Sequence, residues 1–388
     1  KGQNFTGLLG PDQDITDEVG HGTHCSGTVL GLYNEATGFT GVAPQAKLLM
    51  GKVCDTQGCS SAAIAEGINW AIQEKVDVVS MSLGGSSSTS AEKMAITAAE
   101  KAGVFVVAAS GNGAEVKPDG TITTPGVSFP AALSTVFAVG AVDSELVKSS
   151  FSNWGPELDI VAPGSAVLSS IPLGSGREPA VDIVINGQKT RVKSAAFAGA
   201  SDIFKPLTGL FVNAGLGKPT DFTSDVAGKI ALISRGDITF GEKIKNAIAA
   251  KAIGAIVYNN ADGLISPTLV AEGEPSINFP VAMIEQAEGL KIIDALNIKT
   301  EVGVEVITLK TDYAFFDGTS MATPHVAGVA ALVISAYKTS HAGKKITPAA
   351  LRTLLKKTAT PLAPNIHNEY GSGLIQADAA VKSVLSAP

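Results

Sequence analysis

Residues 76–109 read VDVVSMSLGGSSSTSAEKMAITAAEKAGVFVVAA, and this stretch decides the fold. It opens with an apolar run at residues 76–81 and closes with another at residues 104–109, while residues 91–101 between them have a helical pattern. Strands that alternate with helices of roughly ten residues form βαβ units, whose strands run parallel. The second run is apolar on both faces, as a strand covered by helices on both sides requires. The stretch therefore predicts an α/β fold with a parallel sheet.

The same alternation extends to both sides of this stretch. Further strand or helix patterns occur at residues 48–53, 62–73, 136–141, 320–336 and 348–357. In the helix at 62–73, Ile64, Ile68 and Ile72 recur at helical spacing. From these patterns we predict one parallel-sheet domain, formed by residues 1–172 together with residues 311–388.

Residues 173–310 differ in character from the rest of the chain. They contain none of the five histidines and none of the three cysteines. Strand patterns at 229–234 and 253–258 enclose a helical pattern at 241–251. We therefore expect a second domain, residues 173–310, inserted into the first, because insertion at a surface loop is tolerated when the inserted ends lie close together. The alternative is an elaboration of one large domain.

Composition excludes several classes of protein. The 388 residues carry 29 basic and 36 acidic side chains, a net charge of −7, which argues against a nucleic-acid-binding surface. With 45% hydrophobic residues the chain can bury a core, so disorder is excluded as its main state. The apolar runs are as long as strands and fall short of the roughly 18 residues of a membrane span. The sequence begins with Lys1, so we expect any signal peptide or propeptide to be removed or to lie outside it.

The three cysteines are too few for a disulfide scaffold. Cys54 and Cys59 flank a turn-like stretch that one disulfide could close, and the spacing leaves that bridge and two reduced thiols equally open. A disulfide would indicate an oxidising compartment and favour secretion.

Residues 317–328 read DGTSMATPHVAG and place Ser320 at the start of a long apolar helix. Free backbone N–H groups and the helix dipole favour developing negative charge at that end of a helix. Ser320 is therefore a candidate nucleophile. The alternative is that it serves only as the N-cap residue, a common role of serine before a helix.

Residues 20–27 read GHGTHCSG and contain His21 and His24. A serine hydroxyl is a weak nucleophile that needs a base with a pKa near neutral, which His21 can supply. Metal binding is the alternative, but the histidine spacing and the absence of an interleaved glutamate do not fit the zinc-protease pattern. We expect His24 to be a structural histidine.

Asn112 follows the apolar run at residues 104–109. In open parallel sheets, ligands bind beyond the carboxyl ends of the strands. A side-chain amide there can donate a hydrogen bond to an oxyanion. The alternative is that Asn112 and Gly113 simply form a turn.

Together, these motifs resemble the subtilisin-like serine proteases. The resemblance covers most of residues 17–172 and 311–378 and rests on GHGTH at His21, SLGG at Ser82, SGN at Asn112 and GTSMATPHVAG at Ser320. It implies that Ser320 is the nucleophile of an acyl-enzyme mechanism, and that His21 is its general base and acid. Asn112 would be the oxyanion donor, together with the Ser320 backbone N–H. No cofactor is required for this chemistry.

The resemblance also implies how a substrate binds. Ser82, Leu83 and Gly84 would pair with an extended peptide, with Gly58 on its other side. Ala109 and Gly111 would help to wall the primary pocket, which offers no fixed charge and favours medium or large apolar side chains. A Cys54–Cys59 disulfide would stiffen the edge at Gly58, and Cys25 would be a buried thiol.

Calcium is a further expectation, since this family often holds it in surface loops. Asn34, in the loop of residues 33–40, is the candidate ligand because oxygen atoms suit Ca²⁺. A plain turn is the alternative.

The middle of the chain resembles a different module, the protease-associated (PA) domain. The matching stretches include DVAGKIALISRGD at residues 225–237 and GAIVYNN at residues 254–260. The resemblance implies a β-rich α/β domain between Asn112 and Ser320 that binds substrates or controls their access.

One element of the family pattern is missing. The triad aspartate should follow an apolar strand upstream of His21, and Asp12, Asp14 and Asp17 do not fit that pattern. We therefore expect that the sequence begins downstream of that strand. We also expect the polypeptide of these residues alone to be nearly inactive and the complete protein to be active.

The sequence thus predicts a secreted, extracellular serine endopeptidase made as a zymogen. Its expected partners are protein or peptide substrates and an N-terminal propeptide or missing N-terminal segment; nucleic acid and membranes are not expected. The alternatives are a subtilisin-like binding protein that has lost hydrolysis, an inactive truncated fragment, and an intracellular processing protease.

Overall fold

The computed structural model describes residues 1–7, 13–36, 38–116, 122–265, 267–269 and 277–385. The chain divides into two compact units, which we call the first unit (Lys1–Pro172 with Phe315–Pro388) and the inserted unit (Leu173–Ala314). The sequence analysis put the second junction between residues 310 and 311. That position falls inside a strand, Val302–Thr311, so the inserted unit extends to Ala314.

The first unit alternates short strands and helices. Its strands are β1 (Gly2–Asn4), β2 (Met50–Lys52), β3 (Cys54–Asp55), β4 (Gly58–Cys59), β5 (Val78–Met81), β6 (Phe105–Ala109), β7 (Glu115–Val116), β8 (Ile122–Thr123), β9 (Phe137–Val142), β10 (Ile160–Pro163) and β11 (Val167–Ser170). Its helices are α1 (His21–Leu30), α2 (Ser61–Gln73), α3 (Ser90–Lys101), α6 (Thr319–Ser340), α7 (Pro348–Thr358) and α8 (Ala377–Leu385), with a 3₁₀ turn at Ile366–Asn368.

The main sheet of the first unit is parallel throughout. Its strand order is β10-β9-β6-β5, with Val78 opposite Phe105 and Val107 opposite Phe137. All residues of β6 and β9 are buried, as their two apolar faces predict. One face packs on α2 and α3 and the other on α6 and α7. The βαβ architecture predicted from residues 76–109 is therefore confirmed.

The strand predicted at residues 48–53 is present as β2, but it does not belong to the main sheet. β2 pairs in parallel with β1, and among the described residues these two strands form a sheet of their own. Phe5 packs on Trp70 of α2 at a ring separation of 5.8 Å, which anchors this small sheet to the same helix that covers the main one.

Local signals explain where several helices begin. Thr89 precedes α3, and its side chain accepts a hydrogen bond from the Glu92 N–H while the Glu92 carboxylate accepts one from the Thr89 N–H. This capping box satisfies two N–H groups that a helix start leaves without partners. In the inserted unit, Thr239 and Glu242 repeat the arrangement.

Helix α6 runs through the core of the first unit. By length and composition alone it could cross a membrane, but 67% of its most apolar window is buried inside the protein. Ala322, Val326 and Val333 pack beneath the main sheet. The apolar character of α6 is therefore that of a core helix.

The inserted unit is built on a larger, mixed sheet. Its strands are β12 (Gly176–Ile185), β13 (Gln188–Val192), β14 (Ser194–Ala196), β15 (Ala200–Ser201), β16 (Leu207–Asn213), β17 (Ile230–Ser234), β18 (Gly254–Tyr258), β19 (Ile277–Ile284) and β20 (Val302–Thr311). Its helices are α4 (Phe240–Ala249) and α5 (Gln286–Asn297), with 3₁₀ turns at Pro219–Asp221 and Ser224–Val226. A last strand, β21 (Tyr313–Phe316), spans the boundary with the first unit.

The strand order of this sheet is β13-β12-β20-β16-β17-β18-β19-β14, with β15 also paired to β19. β16 to β19 run parallel, and the β12, β13, β20 and β14 pairings are antiparallel. Alternate residues of β17 belong to two separate apolar clusters: Ile230 and Leu232 pack with Ile292 of α5, and Ala231 and Ile233 pack with Ile244 of α4. The β-rich α/β character predicted for the insertion is confirmed.

Candidate active site

Ser320 is the second residue of α6. The N-cap position belongs to Gly318, whose φ of 152° suits glycine and whose N–H donates to the Gly164 carbonyl oxygen at 2.8 Å. The alternative that Ser320 is merely an N-cap residue is therefore wrong. The Ser320 side chain is partly exposed at a helix N-terminus, where the helix dipole favours negative charge.

A proline inside α6 frees the carbonyl group of Ser320. Pro324 lacks the N–H that would donate to the carbonyl four residues earlier. That carbonyl oxygen accepts from the Ser82 hydroxyl at 2.6 Å and from the Cys25 thiol at 3.4 Å instead. The first turn of α6 is thereby connected to two other elements of the first unit.

Ser82 follows β5 directly and makes a reciprocal contact with Ser320. The Ser320 hydroxyl donates to the Ser82 carbonyl oxygen at 3.2 Å. The neighbouring parallel strand β6 ends at Ala109, and Asn112 follows three residues later. Because the carboxyl ends of parallel strands lie at the same edge of a sheet, both residues are carried to the start of α6.

The amide of Asn112 is held by Thr319. Its Oδ1 accepts from the Thr319 N–H at 2.9 Å and from the Thr319 hydroxyl at 2.8 Å, and that hydroxyl accepts from the Gly111 N–H at 3.2 Å. The amide oxygen is thus engaged, which directs the NH₂ group elsewhere. A Cβ added at Gly318 would lie 3.4 Å from Asn112 Nδ2. The NH₂ group of Asn112 therefore lies beside Gly318, two residues before Ser320.

His21 is the first residue of α1, and its ring is partly buried. Burial lowers the pKa of His21, and the negative charge of Asp17 offsets part of this effect. The pKa of Asp17 is itself lowered: burial opposes its ionisation, but hydrogen bonds from Thr23, Gly20 and Val19 outweigh that cost. The ring is therefore neutral near pH 7, the state in which imidazole can accept a proton.

The spacing of His21 and Cys25 predicts that both lie on the side of α1 that faces α6. Cys25, whose thiol contacts the Ser320 carbonyl, lies four residues after His21 and so on the same face of α1. His21 and Ser320 therefore lie at the starts of two helices in contact through this face. Burial raises the pKa of Cys25 to about 11, so the thiol is neutral and a poor nucleophile.

His24 has the structural role expected for it. Its side chain is fully buried, its Nε2 lies 2.9 Å from the Val167 carbonyl oxygen, and its ring stacks on Phe316.

Most of the residues predicted to bind substrate lie together. A Cβ added at Gly84 would lie 3.2 Å from both the Phe129 carbonyl oxygen and Ser128 Cβ, and 3.9 Å from the Ala109 carbonyl oxygen. A Cβ added at Gly111, where φ is 105°, would collide with the Ser128 hydroxyl. Leu83 packs against the core beside this region. Ser128 thus joins the two glycine walls predicted for the pocket.

Gly58 lies in a separate hairpin, β3–β4, in which Cys54 and Cys59 are opposite each other and form a disulfide. The bridge that the sequence left open is confirmed. Gly58 is exposed, and a Cβ added there would meet no described atom within 4 Å. Its role beside a substrate stays a prediction.

The calcium prediction finds no cluster of ligands. In the described ranges, no three His, Cys, Asp or Glu side chains are grouped to hold a metal ion. Asn34 Oδ1 accepts a hydrogen bond from the Ala36 N–H at 3.0 Å, as in a turn, and Thr37 of the same loop lies outside the described residues. Calcium binding at Asn34 stays a prediction.

The two described upstream aspartates, Asp14 and Asp17, do not hydrogen-bond to the His21 ring as a triad member would. Asp12 lies outside the described residues, and Asp14 accepts from the Thr16 N–H and hydroxyl. Asp17 accepts from Thr23, Gly20 and Val19. Within the described part of the chain, no carboxylate is hydrogen-bonded to the His21 ring.

Sequence reasoning missed the roles of Thr319 and Asp17. Thr319 stands beside Ser320 in the GTS motif, but its bond to Asn112 spans 207 positions, which no local pattern reveals. Asp17 had a local signal: aspartate carboxylates in turns and near helix starts accept hydrogen bonds from backbone N–H groups a few residues further on.

Comparison with known proteins gives a consistent result. The model of the subtilase family matches residues 5–201, and the model of the PA domain matches residues 190–292. The chain is 45% identical over 175 residues to the major intracellular serine protease of Bacillus subtilis (strain 168), covering 44% of this chain and 53% of that protein. It is 46% identical over 158 residues to subtilisin DY of Bacillus licheniformis, covering 40% and 56%. The aligned region thus spans about half the length of these relatives.

Among solved structures, the chain resembles a psychrophilic subtilisin-like protease of the Antarctic psychrotroph Pseudoalteromonas sp. AS-11. The TM-score is 0.66 with 31% sequence identity, over 95% of this chain and 85% of that one. A lanthipeptide protease shares the fold at a TM-score of 0.53 and 19% identity.

Proposed function

The chain belongs to the subtilase family of serine proteases and carries a PA domain, and on that premise we propose that it is an endopeptidase in which Ser320 attacks the peptide carbonyl. The observation that carries the proposal is the grouping of Ser320, Ser82 and Asn112 at the start of α6, on the side that faces α1 and His21. Family membership alone would not assign these roles to individual residues.

The proposed reaction passes through an acyl-enzyme. His21 takes the proton of the Ser320 hydroxyl as its oxygen bonds to the carbonyl carbon, and it then gives that proton to the leaving amine. Asn112 Nδ2 and the Ser320 backbone N–H would stabilise the oxyanion. A water molecule, deprotonated by His21, then breaks the ester and restores the hydroxyl. Every proton in this scheme is returned, so the cycle needs no cofactor.

The substrate we propose is an extended segment of protein or peptide. Ser82, Leu83 and Gly84 follow β5 at the end of the sheet and offer backbone groups to a strand-like ligand. The pocket beside Ser128 has small walls and, among the residues named for it, no charged side chain, which favours an apolar side chain before the cut. A peptide library varied at that residue tests this preference; a strict requirement for Arg or Lys would contradict it.

We also propose that efficient catalysis needs a carboxylate on the second ring nitrogen of His21. Its loss costs ~10,000-fold in turnover in the serine proteases studied in most detail, because the imidazole loses its tautomer and its charge partner. The outer edge of β5 has no strand partner among the described residues, so a strand bearing this carboxylate has an edge with which to pair. Fast peptide cleavage by a polypeptide of these 388 residues alone would contradict the requirement.

A serine-directed phosphonylating reagent tests the assignment in the full-length protein. Stoichiometric modification of Ser320, abolished in Ser320→Ala and strongly slowed in His21→Ala, is the expected result. No modification of the folded protein would favour the alternative, a subtilisin-like binding protein. Ser86→Ala, an exposed serine near the same strand end, is the matched control and should react as the native chain does.

We propose that the protein is secreted and made as a zymogen with an N-terminal propeptide. The Cys54–Cys59 disulfide supports an oxidising compartment. The alternative is an intracellular protease, and a protein similar to this chain is named as one. Trapping free thiols in the native source and measuring mass before and after reduction separates the two: two thiols at Cys54 and Cys59 would contradict secretion.

For the PA domain, we propose control over the access of protein substrates. Replacing the inserted unit, Leu173–Ala314, by a short flexible linker should slow digestion of a folded or unfolded protein more than cleavage of a short peptide. Cleavage of the short peptide also reports whether the rest of the chain still folds. Equal effects on both substrates would contradict this role.

A further inference from the structure

Helix α1 begins without a side chain at its N-cap position. Gly20 occupies that position with a φ of 86°, and it has no side chain to accept the first N–H groups of the helix. The carboxylate of Asp17, three residues earlier, accepts one of these N–H groups, that of Thr23, instead. Asp17 Oδ2 accepts from the Thr23 N–H at 2.8 Å and from the Thr23 hydroxyl at 2.6 Å.

The other oxygen of the same carboxylate holds the turn that leads into the helix. Asp17 Oδ1 accepts from the Gly20 N–H at 2.8 Å and from the Val19 N–H at 3.1 Å. One side chain therefore closes the turn on one side of His21 and the first helical turn on the other. His21 is the residue between these two fixed points.

We propose that Asp17 is a positioning residue for His21: its carboxylate replaces the missing N-cap of α1 and fixes the backbone from which the imidazole reaches Ser320. This inference rests on the proposed function and adds to it a residue that does not touch the substrate. Misplacing a catalytic group by about 1 Å can cost ~100-fold in rate, so a rigid start of α1 matters to the chemistry.

The charge of Asp17 acts on the ring as well. Asp17 is the charged group that raises the pKa of His21 against the effect of burial. On α1 itself, the titratable neighbours are His24, buried against Val167, and Cys25, a neutral thiol. Ser169 of β11 and Ser320 of α6, which are both hydrogen-bonded to α1, are uncharged. Glu18, next to Asp17, is exposed.

Asp14 supplies a matched control. It is an exposed aspartate three residues before Asp17, and its Oδ1 accepts from the Thr16 N–H at 3.0 Å and the Thr16 hydroxyl at 2.6 Å. Asp14→Asn therefore removes the same charge from a similar turn that does not lead into α1. Thr23→Val removes one bond to Asp17 and keeps its charge.

The experiment compares Asp17→Asn, Asp14→Asn and Thr23→Val in the full-length protein by three measurements. These are the titration of the His21 ring by NMR, with the signal assigned through His21→Ala, the exchange rate of the Thr23 amide, and the rate at which Ser320 is phosphonylated. In Asp17→Asn we expect His21 to titrate at lower pH, the Thr23 amide to lose protection, and phosphonylation to slow by ~10-fold or more. Asp14→Asn should change none of these.

If Asp17→Asn does not fold, Thr23→Val still tests the positioning role of Asp17. We expect it to slow phosphonylation by a few-fold and leave the His21 titration in place, since the charge of Asp17 remains. The proposal is overturned if Asp17→Asn matches Asp14→Asn, or if His21 titrates differently while the Thr23 amide and the Ser320 rate stay unchanged. If native Ser320 does not react at all, the proposed function fails, and the ring titration and amide exchange still decide the role of Asp17.

Discussion

Ser82 and Ser320 exchange two hydrogen bonds: the Ser82 hydroxyl donates to the Ser320 carbonyl oxygen at 2.6 Å, and the Ser320 hydroxyl donates to the Ser82 carbonyl oxygen at 3.2 Å. This pair joins the end of β5, where we propose that substrate binds, to the residue that we propose as nucleophile. It exists because Pro324 leaves the Ser320 carbonyl without a partner inside α6. The position of Ser320 is therefore held by a side chain that directly follows β5.

Ser82→Ala should weaken both folding and catalysis. The substitution leaves the Ser320 carbonyl with only the weak thiol donor of Cys25, so we expect the free energy of unfolding to fall by about 1 kcal/mol. Because the first turn of α6 becomes less fixed, the acylation rate of Ser320 should fall by ~10-fold. Chemical denaturation and burst kinetics measure the two effects, with Ser86→Ala as the control. Equal values for both variants would show that the Ser82 hydroxyl does not position Ser320.

Much of the fold could be predicted because its signals are local. The runs at residues 104–109 and 136–141 are apolar on both faces and become the fully buried strands β6 and β9. Of the isoleucines at helical spacing in residues 62–73, Ile64 and Ile68 are buried in α2, Ser61–Gln73, and Ile72 is partly buried against the same core. In each case the residue pattern and the burial it produces belong to the same short stretch.

The site was harder to predict because its contacts join distant segments. The sequence left Ser320 open as an N-cap residue, and only the position of Gly318 excludes that role. The pairing of β2 with β1, rather than with the main sheet, also depends on long-range contacts. These features follow from how segments pack, which no single stretch of sequence encodes.

Variants of Asn112 and Thr319 can separate the oxyanion donor that we propose, Asn112, from the residue that orients it, Thr319. Asn112→Asp keeps an acceptor for the Thr319 N–H and hydroxyl but removes the NH₂ donor. We expect kcat to fall by ~100- to 1,000-fold with a small change in KM, because the donor acts on charge that develops in the transition state. Steady-state kinetics on a short peptide measures both constants.

Thr319→Val is the companion variant. It removes the hydroxyl bond that orients the Asn112 amide but keeps the donor, so the loss in kcat should be smaller, ~10-fold. A loss as large as that of Asn112→Asp would mean that Thr319 itself acts on the oxyanion. An unchanged kcat in Asn112→Asp would remove Asn112 from the mechanism.

Cys25 should be inert in the folded protein. Burial raises the pKa of its thiol to about 11, so on the order of 0.1% is thiolate at pH 8 and alkylation should be at least ~100-fold slower than for a free thiol. Iodoacetamide labelling followed by mass spectrometry measures the rate, and the unfolded chain provides the reference. Cys25→Ser keeps a donor to the Ser320 carbonyl and should retain activity within a few-fold. Rapid labelling of the folded chain at pH 8 would contradict the burial of this thiol beside Ser320.

The stability of the protein should fall in mildly acidic solution because of two partly buried histidines, His21 and His325. Burial lowers the pKa of His325, whose Nδ1 lies 2.9 Å from the Met321 carbonyl oxygen, and burial also lowers that of His21. The unfolded chain then binds more protons than the folded one below a pH of about 6.5, so the free energy of unfolding decreases as pH falls from there towards the folded-state pKa values. The slope is at most about 1.4 kcal/mol per pH unit for each histidine, and above pH 6.5 these groups contribute no slope.

Urea denaturation between pH 5 and pH 8 measures the slope of the free energy of unfolding against pH. His325→Gln should flatten the curve. The same slope in this variant and in the native chain would show that His325 does not titrate differently on folding.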